Sequence, residues 1–372
     1  MQQKRIQPEI FRILSSAMLT LALLLLTACS GLSLGTGSST STTSTTTSHM
    51  NPASIHVGFV SETTSQDFAL EMAAGAQYAA NQFHVSAQIV APSTINDRAA
   101  VKLFEGLTKT ASDGIAVETL APALFAQPEA SAVSAGIPVI AVDTVPPAAS
   151  HIITYVGNDN LAAGETLADA AIEHIPTNAQ GNLLIGVDTM GVPVLNYRVQ
   201  GIKQEFQRLR PAIQVATPFN SQQITALNLT SWNHTIKAHS NIVACLGVGD
   251  PDNSSLAQIK QEQHATYLSG AFDLDPTALQ AIVNGTNFAL IDPEHFLKGY
   301  VAMRLLIEHA LSQKAIPQGW WNPGDLLVTQ NNVQQIITRQ QSLANKGKFY
   351  QLIIDEEFAD SSAYITPLDQ AK

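Results

Sequence analysis

Cysteine is almost absent from this chain: Cys29 and Cys245 are the 2 in 372 residues. A disulfide framework of the kind that staples small secreted domains is therefore excluded. Charge is scarce as well. Asp, Glu, Lys and Arg make up 13% of the residues, and 19 basic against 30 acidic side chains leave a formal net charge of -11. That share is roughly half the ordinary one, so the surface must meet water largely through Gln, Asn, Ser and Thr. No Lys/Arg cluster of the size that a phosphate-binding face needs is present, which excludes nucleic acid as a partner. Patterns of catalysis are missing too: there is no Gly-x4-Gly-Lys-Ser/Thr cradle and no His-Glu-x-x-His pair. Gly247-Val-Gly249 follows an apolar run, but the third glycine of a dinucleotide fingerprint is absent and Pro251 intrudes. His234 and His239 lie on a polar stretch without a nearby acidic third ligand, so solvent exposure is expected of them rather than metal binding. No catalytic nucleophile, cofactor or metal is expected.

Long apolar runs stop short of a membrane thickness. Lys4, Arg5 and Arg12 precede an apolar run from Ile13 to Leu26 that ends in Leu26-Thr27-Ala28-Cys29, the pattern of an export segment. The run is short for a bilayer span. Small residues just before a cysteine resemble the lipobox of bacterial lipoproteins, and this resemblance implies that Cys29 becomes the lipidated first residue of the mature chain. The alternative is an uncleaved apolar anchor. Either way the remainder is tethered outside the cytoplasmic membrane. With Cys29 so used, Cys245 has no partner within the chain, and inside IVACLGV it is expected to be a packing residue. From Ser38 to Ser48 every residue is Ser or Thr, a composition that builds no core and acts as a flexible spacer. A coil of about 23 residues has a root-mean-square span of roughly 25 Å.

What is present beyond the spacer is alternation of short apolar runs and helical patterns. With 45% hydrophobic residues and a mean hydropathy of +0.08, the chain has apolar material for about two cores. Strands are expected at 55–60, 85–90, 115–117 and 136–143, with helices at 68–83, 96–108 and 122–134 between them. Strands this continuously apolar belong to a parallel sheet covered on both faces. The rhythm breaks once. GIPVIAVD (Gly136 to Asp143) is followed by a second apolar run, Ile152 to Val156, and Pro146 and Pro147 leave no room for a helix between them. Such a break suits a chain leaving one sheet for another, with Gly157-Asn158-Asp159-Asn160 capping the next helix and Asp143 facing the seam. The same alternation then resumes, through a long helix at 294–313, a strand at 326–329 and a helix at 333–341. In the tail, FYQLII is expected as an extra edge strand, and Trp320-Trp321 reads either as a ligand platform or as a turn that buries its rings against the hinge.

In open α/β sheets, ligands sit beyond the carboxyl ends of the strands. The residues there are Ser61 to Phe68, which include Asp67, then Glu118, Asp143 with Thr144, Asp188 to Met190, Gly249 with Asp250, Asp273 and Asp292. They are mostly acceptors. Carboxylates that accept bonds from hydroxyls, with an aromatic such as Phe68 to lie against an apolar ring face, are the chemistry of carbohydrate binding.

The stretches GIPVIAVD, YVGNDNLAAGETLA, YRVQGIKQEF, LSGAFD and DPEHFLKGY resemble those of type I periplasmic sugar-binding proteins, the ribose-binding-like family that feeds ABC importers. The resemblance runs from about Ile55 to Val333. It implies an α/β fold of two Rossmann-like, doubly wound parallel-sheet lobes joined by a three-segment hinge that crosses near Asn158, near Asp292 to Glu294 and near Asp325. On that basis residues 1–29 are a lipoprotein signal peptide and 30–53 a linker. Residues 54–157 plus 294–325 form one lobe, 158–293 plus 326–345 the other, and 346–372 an extension. The family's aromatic-bearing loop falls on Ser65 to Phe68 and its hinge-proximal aspartate on Asp143. Its aspartate of the Gly-Phe-Asp strand end falls on Asp273. Asn196 stands where many members place a sugar-binding arginine, while Arg198 with Gly201 keeps an Arg-x-x-Gly pattern that is open to a structural or a binding role. Thr144, Gly249 and Pro293 depart from the family pattern. A smaller or less hydroxylated ligand, or a contribution from Asp292 and Glu294, is the expected consequence. The expected ligand-binding set is thus Asp67, Phe68, Glu118, Asp143, Thr144, Asn196, Arg198, Asp250, Asp273 and Asp292. The resemblance implies a monomeric, membrane-anchored binding protein that hands a sugar to an ABC permease. The alternative is a sensory protein that presents a sugar or furanosyl signal to a membrane receptor.

Overall fold

Parallel strands that are apolar on both faces need helices on both sides, and the computed structural model, which describes residues 50–372, meets that need twice. The export segment, Cys29 and the whole Ser/Thr spacer lie outside the described residues. The chain begins with β1 (Val57–Val60), α1 (Asp67–Gln82), β2 (Ala87–Val90), α2 (Asp97–Leu107), β3 (Gly114–Glu118), α3 (Pro122–Ser134), β4 (Val139–Val142) and β5 (Thr154–Val156). It continues with α4 (Asn160–His174), β6 (Gly181–Val187), α5 (Pro193–Leu209), β7 (Ile213–Val215), β8 (Phe219–Asn220) and α6 (Thr225–Ala238). Next come β9 (Ile242–Gly247), α7 (Asp250–Gln263), β10 (Leu268–Phe272), α8 (Pro276–Val283) and β11 (Ala289–Asp292). The last part holds α9 (His295–Ser312), β12 (Gly319–Trp321), β13 (Leu326–Val328), α10 (Val333–Gln340), α11 (Leu343–Ala359) and β14 (Ile365–Thr366).

The strands form two sheets. In the first lobe their order is β14-β12-β5-β4-β3-β1-β2, and in the second β13-β11-β10-β9-β6-β7 with β8 beside β6. All neighbours are parallel except β12 with β14 and β11 with β13. Every residue of β1, β3, β4 and β5 is buried. Helices α1, α9 and α11 cover one face of the first sheet, and α2 and α3 the other. In the second lobe α4 and α5 pack on one face, with α6, α7, α8 and α10 on the other.

The break after β4 does not itself change sheets: β5 pairs with β4, and the chain leaves the first sheet only after Val156. Asp159 then caps α4 by accepting the Ala162 N–H at 3.0 Å. The chain returns between β11 and α9 and passes over again between β12 and β13. A further passage follows α10, whose Val333 and Ile336 lie in the second lobe's core, while Tyr350 and Ile354 of α11 lie in the first lobe's. The tail therefore corrects the edge-strand expectation. FYQLII lies within α11, and Tyr350, Ile354 and Glu357 give it a buried stripe of helical period. The edge strand is the later β14, antiparallel to β12. Trp320 and Trp321 are likewise in β12 rather than a surface turn, both buried, with Nε1–H groups donating to Gly157 O and Glu357 Oε2.

Two helix pairs cross at glycines. A Cβ on Gly299 of α9 would stand 1.9 Å from Met72 O of α1, and one on Gly201 of α5 would stand 2.1 Å from Leu161 O of α4. These contacts set how close the hinge-side helices lie, and with them the positions of the side chains that reach the space between the sheets.

Candidate functional site

The carboxyl ends of both sheets face a shared cleft of about 400 Å³, part of it open to solvent, lined by residues of both lobes. Asp143, one residue past β4, and Asp273, one residue past β10, line it from opposite sides, both almost fully buried. Phe68, on the first turn of α1, lies against His295 with ring centroids 6.1 Å apart. Arg198 enters from α5, where the Gly201 contact brings that helix against α4. Its Nε donates to Asn160 Oδ1 at 3.1 Å, and Nη1 donates to Val248 O at 2.9 Å and faces Asp273 Oδ2 at 3.9 Å. The guanidinium also lies 4.2 Å above the Phe272 ring centre.

The two aspartates are joined through α9. Lys298 donates from Nζ to Asp143 Oδ1 and to His295 Nδ1, the latter at 3.2 Å, and His295 Nε2–H donates to Asp273 Oδ1 at 2.8 Å. These partners fix the ring's tautomer, with Nδ1 accepting and Nε2 donating. The result is a continuous line of polar contacts, Asp143, Lys298, His295, Asp273, Arg198, that runs from one lobe to the other past the hinge. Burial works against ionisation of Asp143, but the neighbouring cations, Lys298 above all, outweigh it and hold the carboxyl down at about 2. The Lys298 ammonium is lowered by burial and supported by Asp143.

Across the mouth the lobes touch. The Asp67 N–H donates to Asp250 Oδ2 at 3.2 Å, and Gln66 Nε2 donates to Gln223 O at 3.3 Å. Carboxyls crowd here. Burial, then Asp275, Glu71 and Asp273, push Asp67 up to about 6, and burial with Asp252 and Asp273 pushes Asp188 to about 7. Asp250 is raised well above the usual range by burial, Asp273 and Asp67.

Of the residues singled out from the sequence, the structure brings Phe68, Asp143, Arg198, Asp250 and Asp273 into this cleft, with Asp67 at its rim. It places the others elsewhere. Glu118 lies wholly buried behind Asp143, accepting from Ser61 Oγ and the Glu62 N–H at 2.8 and 2.6 Å. Burial and then Asp143 push Glu118 to about 7. Thr144 is buried but is not part of the cleft lining, and Asn196 is exposed because its position on α5 turns away while Leu195 and Arg198 turn in. Asp292 lines a small neighbouring pocket and is paired with Arg339 Nη2 at 2.6 Å. Sequence reading missed His295 and Lys298. A histidine and a lysine three apart among apolar residues in the first turns of α9 were the available signal.

With this geometry, comparison with known proteins gives a consistent assignment. The family described as periplasmic binding protein domain matches residues 57–314. The xylose/arabinose-binding protein XylF of Sulfolobus acidocaldarius is 22% identical over 293 residues, covering 74% of this chain and 71% of XylF. An ABC transporter solute-binding protein of Burkholderia graminis, solved in complex with D-arabinose, superposes with a TM-score of 0.69 at 24% identity, over 76% of this chain and 98% of that one. The XylFII-LytSN complex gives a TM-score of 0.66 at 21% identity, over 74% of this chain and 98% of that one. By its fold and its family match, the chain belongs to the periplasmic binding proteins and has their type I fold.

Proposed function

We propose that this chain is an extracytoplasmic lipoprotein, anchored through Cys29, that encloses a sugar or sugar-like molecule between its lobes and delivers it to an ABC importer. The observation that carries the reading is the pair of facing strand-end carboxylates, Asp143 and Asp273, in one cleft with Phe68 and Arg198. Carboxylates accept from hydroxyls, Arg198 donates, and the Phe68 ring offers a face to the C–H side of a sugar. Charge-assisted bonds contribute about 1.5–3 kcal/mol each, so three or four reach micromolar affinity. The relatives named above for xylose, arabinose and D-arabinose support a pentose-sized ligand. Closure over the ligand dries these bonds, and the closed surface is what a permease would read.

Residues 1–29 serve as the signal peptide and 30–53 as the leash in this reading. Lobe boundaries at 54–157 with 294–325, and at 158–293 with 326–345, leave 346–372 as an extension that packs on the first lobe. A second reading, supported by the similarity to XylFII in its complex with LytSN, is that the occupied protein reports to a receptor by direct contact.

The test is a thermal-shift screen of the full chain in detergent against pentoses, hexoses, polyols and nucleosides. Ligand binding to the folded state raises the midpoint. A clear rise with one or two sugars, lost in Asp143→Asn, supports the reading; no rise with any of them overturns it.

A further inference from the structure

The cleft's two buried cations are already engaged: Lys298 with Asp143, Arg198 with Asp273, Val248 O and Asn160. On the second lobe's side stand two more carboxylates, Asp188 after β6 and Asp250 at the start of α7, each lining the cleft and each at least nine-tenths buried. Neither appears in an ion pair among the described residues. Asp188 Oδ1 is buried without a hydrogen-bond partner. Its position is made possible by an absence: a Cβ on Gly249 would stand 2.2 Å from Asp188 Cγ and 2.3 Å from its Oδ2. Any other residue at 249 would displace this carboxyl.

We propose that Asp188, with Asp250, forms a subsite for a protonated amine, and that the ligand is an amino sugar or an amine-bearing polyol. The inference rests on the interlobe sugar site proposed above and names its ligand class. A dry cleft that holds two carboxylates outside any ion pair must take up protons or a cation on closure. An ammonium group supplies the charge and three N–H donors in one place, which a neutral hydroxyl does not. A bare metal ion fits less well, because among the described residues no group of three or more His, Cys, Asp or Glu is arranged to hold one. Val192, Val194, Leu195 and Phe68 also line the cleft, and their apolar side chains suit the unsubstituted face of a ring.

The experiment is titration calorimetry of the full chain with D-glucosamine and D-galactosamine against glucose, galactose, xylose and arabinose. An amino sugar should bind about tenfold more tightly than its neutral counterpart, as a charge-assisted bond exceeds a neutral one. Asp188→Asn should abolish that preference while changing affinity for the neutral sugar by less than about threefold. Gly249→Ala, which displaces the carboxyl instead of removing it, should have the same effect; Asp188→Ser gives the same readout should Asp188→Asn not fold. Neutral sugars that bind as tightly as their amino counterparts, or a preference untouched by these variants, would overturn the amine subsite and leave the sugar-binding reading intact. Absence of binding by both classes would instead overturn the sugar-binding reading, and the subsite with it.

Discussion

Asp143 and Asp273 hold the same place in two different sheets. Each follows the fourth strand in from the β2 or β7 edge, each has a left-handed backbone, with φ of 67° and 69°, and each N–H donates to the neighbouring strand, to Val156 O and Ile291 O, at 2.9 Å. Left-handed backbone costs about 1–2 kcal/mol for an ordinary side chain, and Asp and Asn tolerate it best. Two such residues facing one cleft, joined by His295 and Lys298, make the hinge side of the site a single polar unit shared by both lobes.

The unit is not symmetric in its energetics. Asp143→Asn keeps a residue suited to the backbone but leaves the Lys298 ammonium buried without its counter-charge, a change of about 3–5 kcal/mol. Asp273→Asn leaves Arg198 with Val248 O and Asn160, so it should cost clearly less. Scanning calorimetry without ligand should show the larger fall in melting temperature for Asp143→Asn. Equal effects would mean that Lys298 finds another partner. Both variants should also lose about tenfold or more in ligand affinity.

Much of this was legible in the chain. The unbroken apolar runs at β1, β3 and β4 announced parallel strands, and Asp143 and Asp273, after β4 and β10, were found in the cleft because open sheets hold their sites beyond the carboxyl ends of strands, whereas Glu118 at the end of β3 is buried away from it. Asn196 failed for a different reason. On a helix, two positions separate a residue that faces the cleft from one that faces water, and Arg198 took the inward place. The pairing of Asp292 with Arg339 was hidden by its distance along the chain, as was the swing of α11 back to the first lobe. FYQLII, too short to distinguish strand from helix, was decided only by the apolar surface left exposed on α1 and α9.

Phe68 tests the ring-face contact. Its side chain belongs to the first lobe's core as well as to the cleft, so removing it entirely would confuse two effects. Phe68→Leu retains apolar volume at a stability cost of about 1.5 kcal/mol or less and removes the aromatic face, worth about 0.5–1.5 kcal/mol. Affinity for the sugar should fall roughly three- to tenfold in titration calorimetry, with the melting temperature changed little. Unaltered affinity would place the ring outside the ligand contact.

Acid and alkali should both destabilise this fold, each through different carboxyls. Asp67 at about 6, Glu118 and Asp188 at about 7 and Glu62 at about 9 all hold protons that the unfolded chain has released, each chiefly because of burial. Raising the pH through these values therefore removes stability, and the protein should melt higher at about pH 5 than at about pH 8. Asp143, held down at about 2 against an ordinary 3.8, contributes stability above that ordinary value and loses it as the pH falls towards 2. Melting curves across this range should thus pass through a maximum near pH 4–5, and Glu62→Gln should flatten the alkaline side. A midpoint that climbs steadily from pH 5 to 8 would contradict the burial of these carboxyls.

The C-terminal extension is structural, and one arginine shows why. Arg339 at the end of α10 donates to Asp292 Oδ2 at 2.6 Å and to Tyr350 OH at 2.8 Å, and it faces Glu294 Oε2 at 3.9 Å, so it ties the second sheet's last parallel strand, the hinge and α11 together. Lys346 donates to Glu71 of α1, and Asn160, at the first crossing, donates to the Lys372 carbonyl at 3.2 Å. Arg339→Met would keep the apolar stem and leave Asp292 and Glu294 unpaired in a buried place, at a cost of about 3–5 kcal/mol. Tyr350→Phe removes the hydroxyl's contacts with Arg339 and Glu294 and should cost about 1–3 kcal/mol. Deleting residues 342–372 uncovers Phe296, which stacks on Tyr350 at 5.0 Å, and Trp321, which lies 5.0 Å from Phe358. The shortened chain should fail to give a cooperative melt, whereas a trimmed protein that still melts cooperatively near the full-length temperature would make α11 a dispensable appendage.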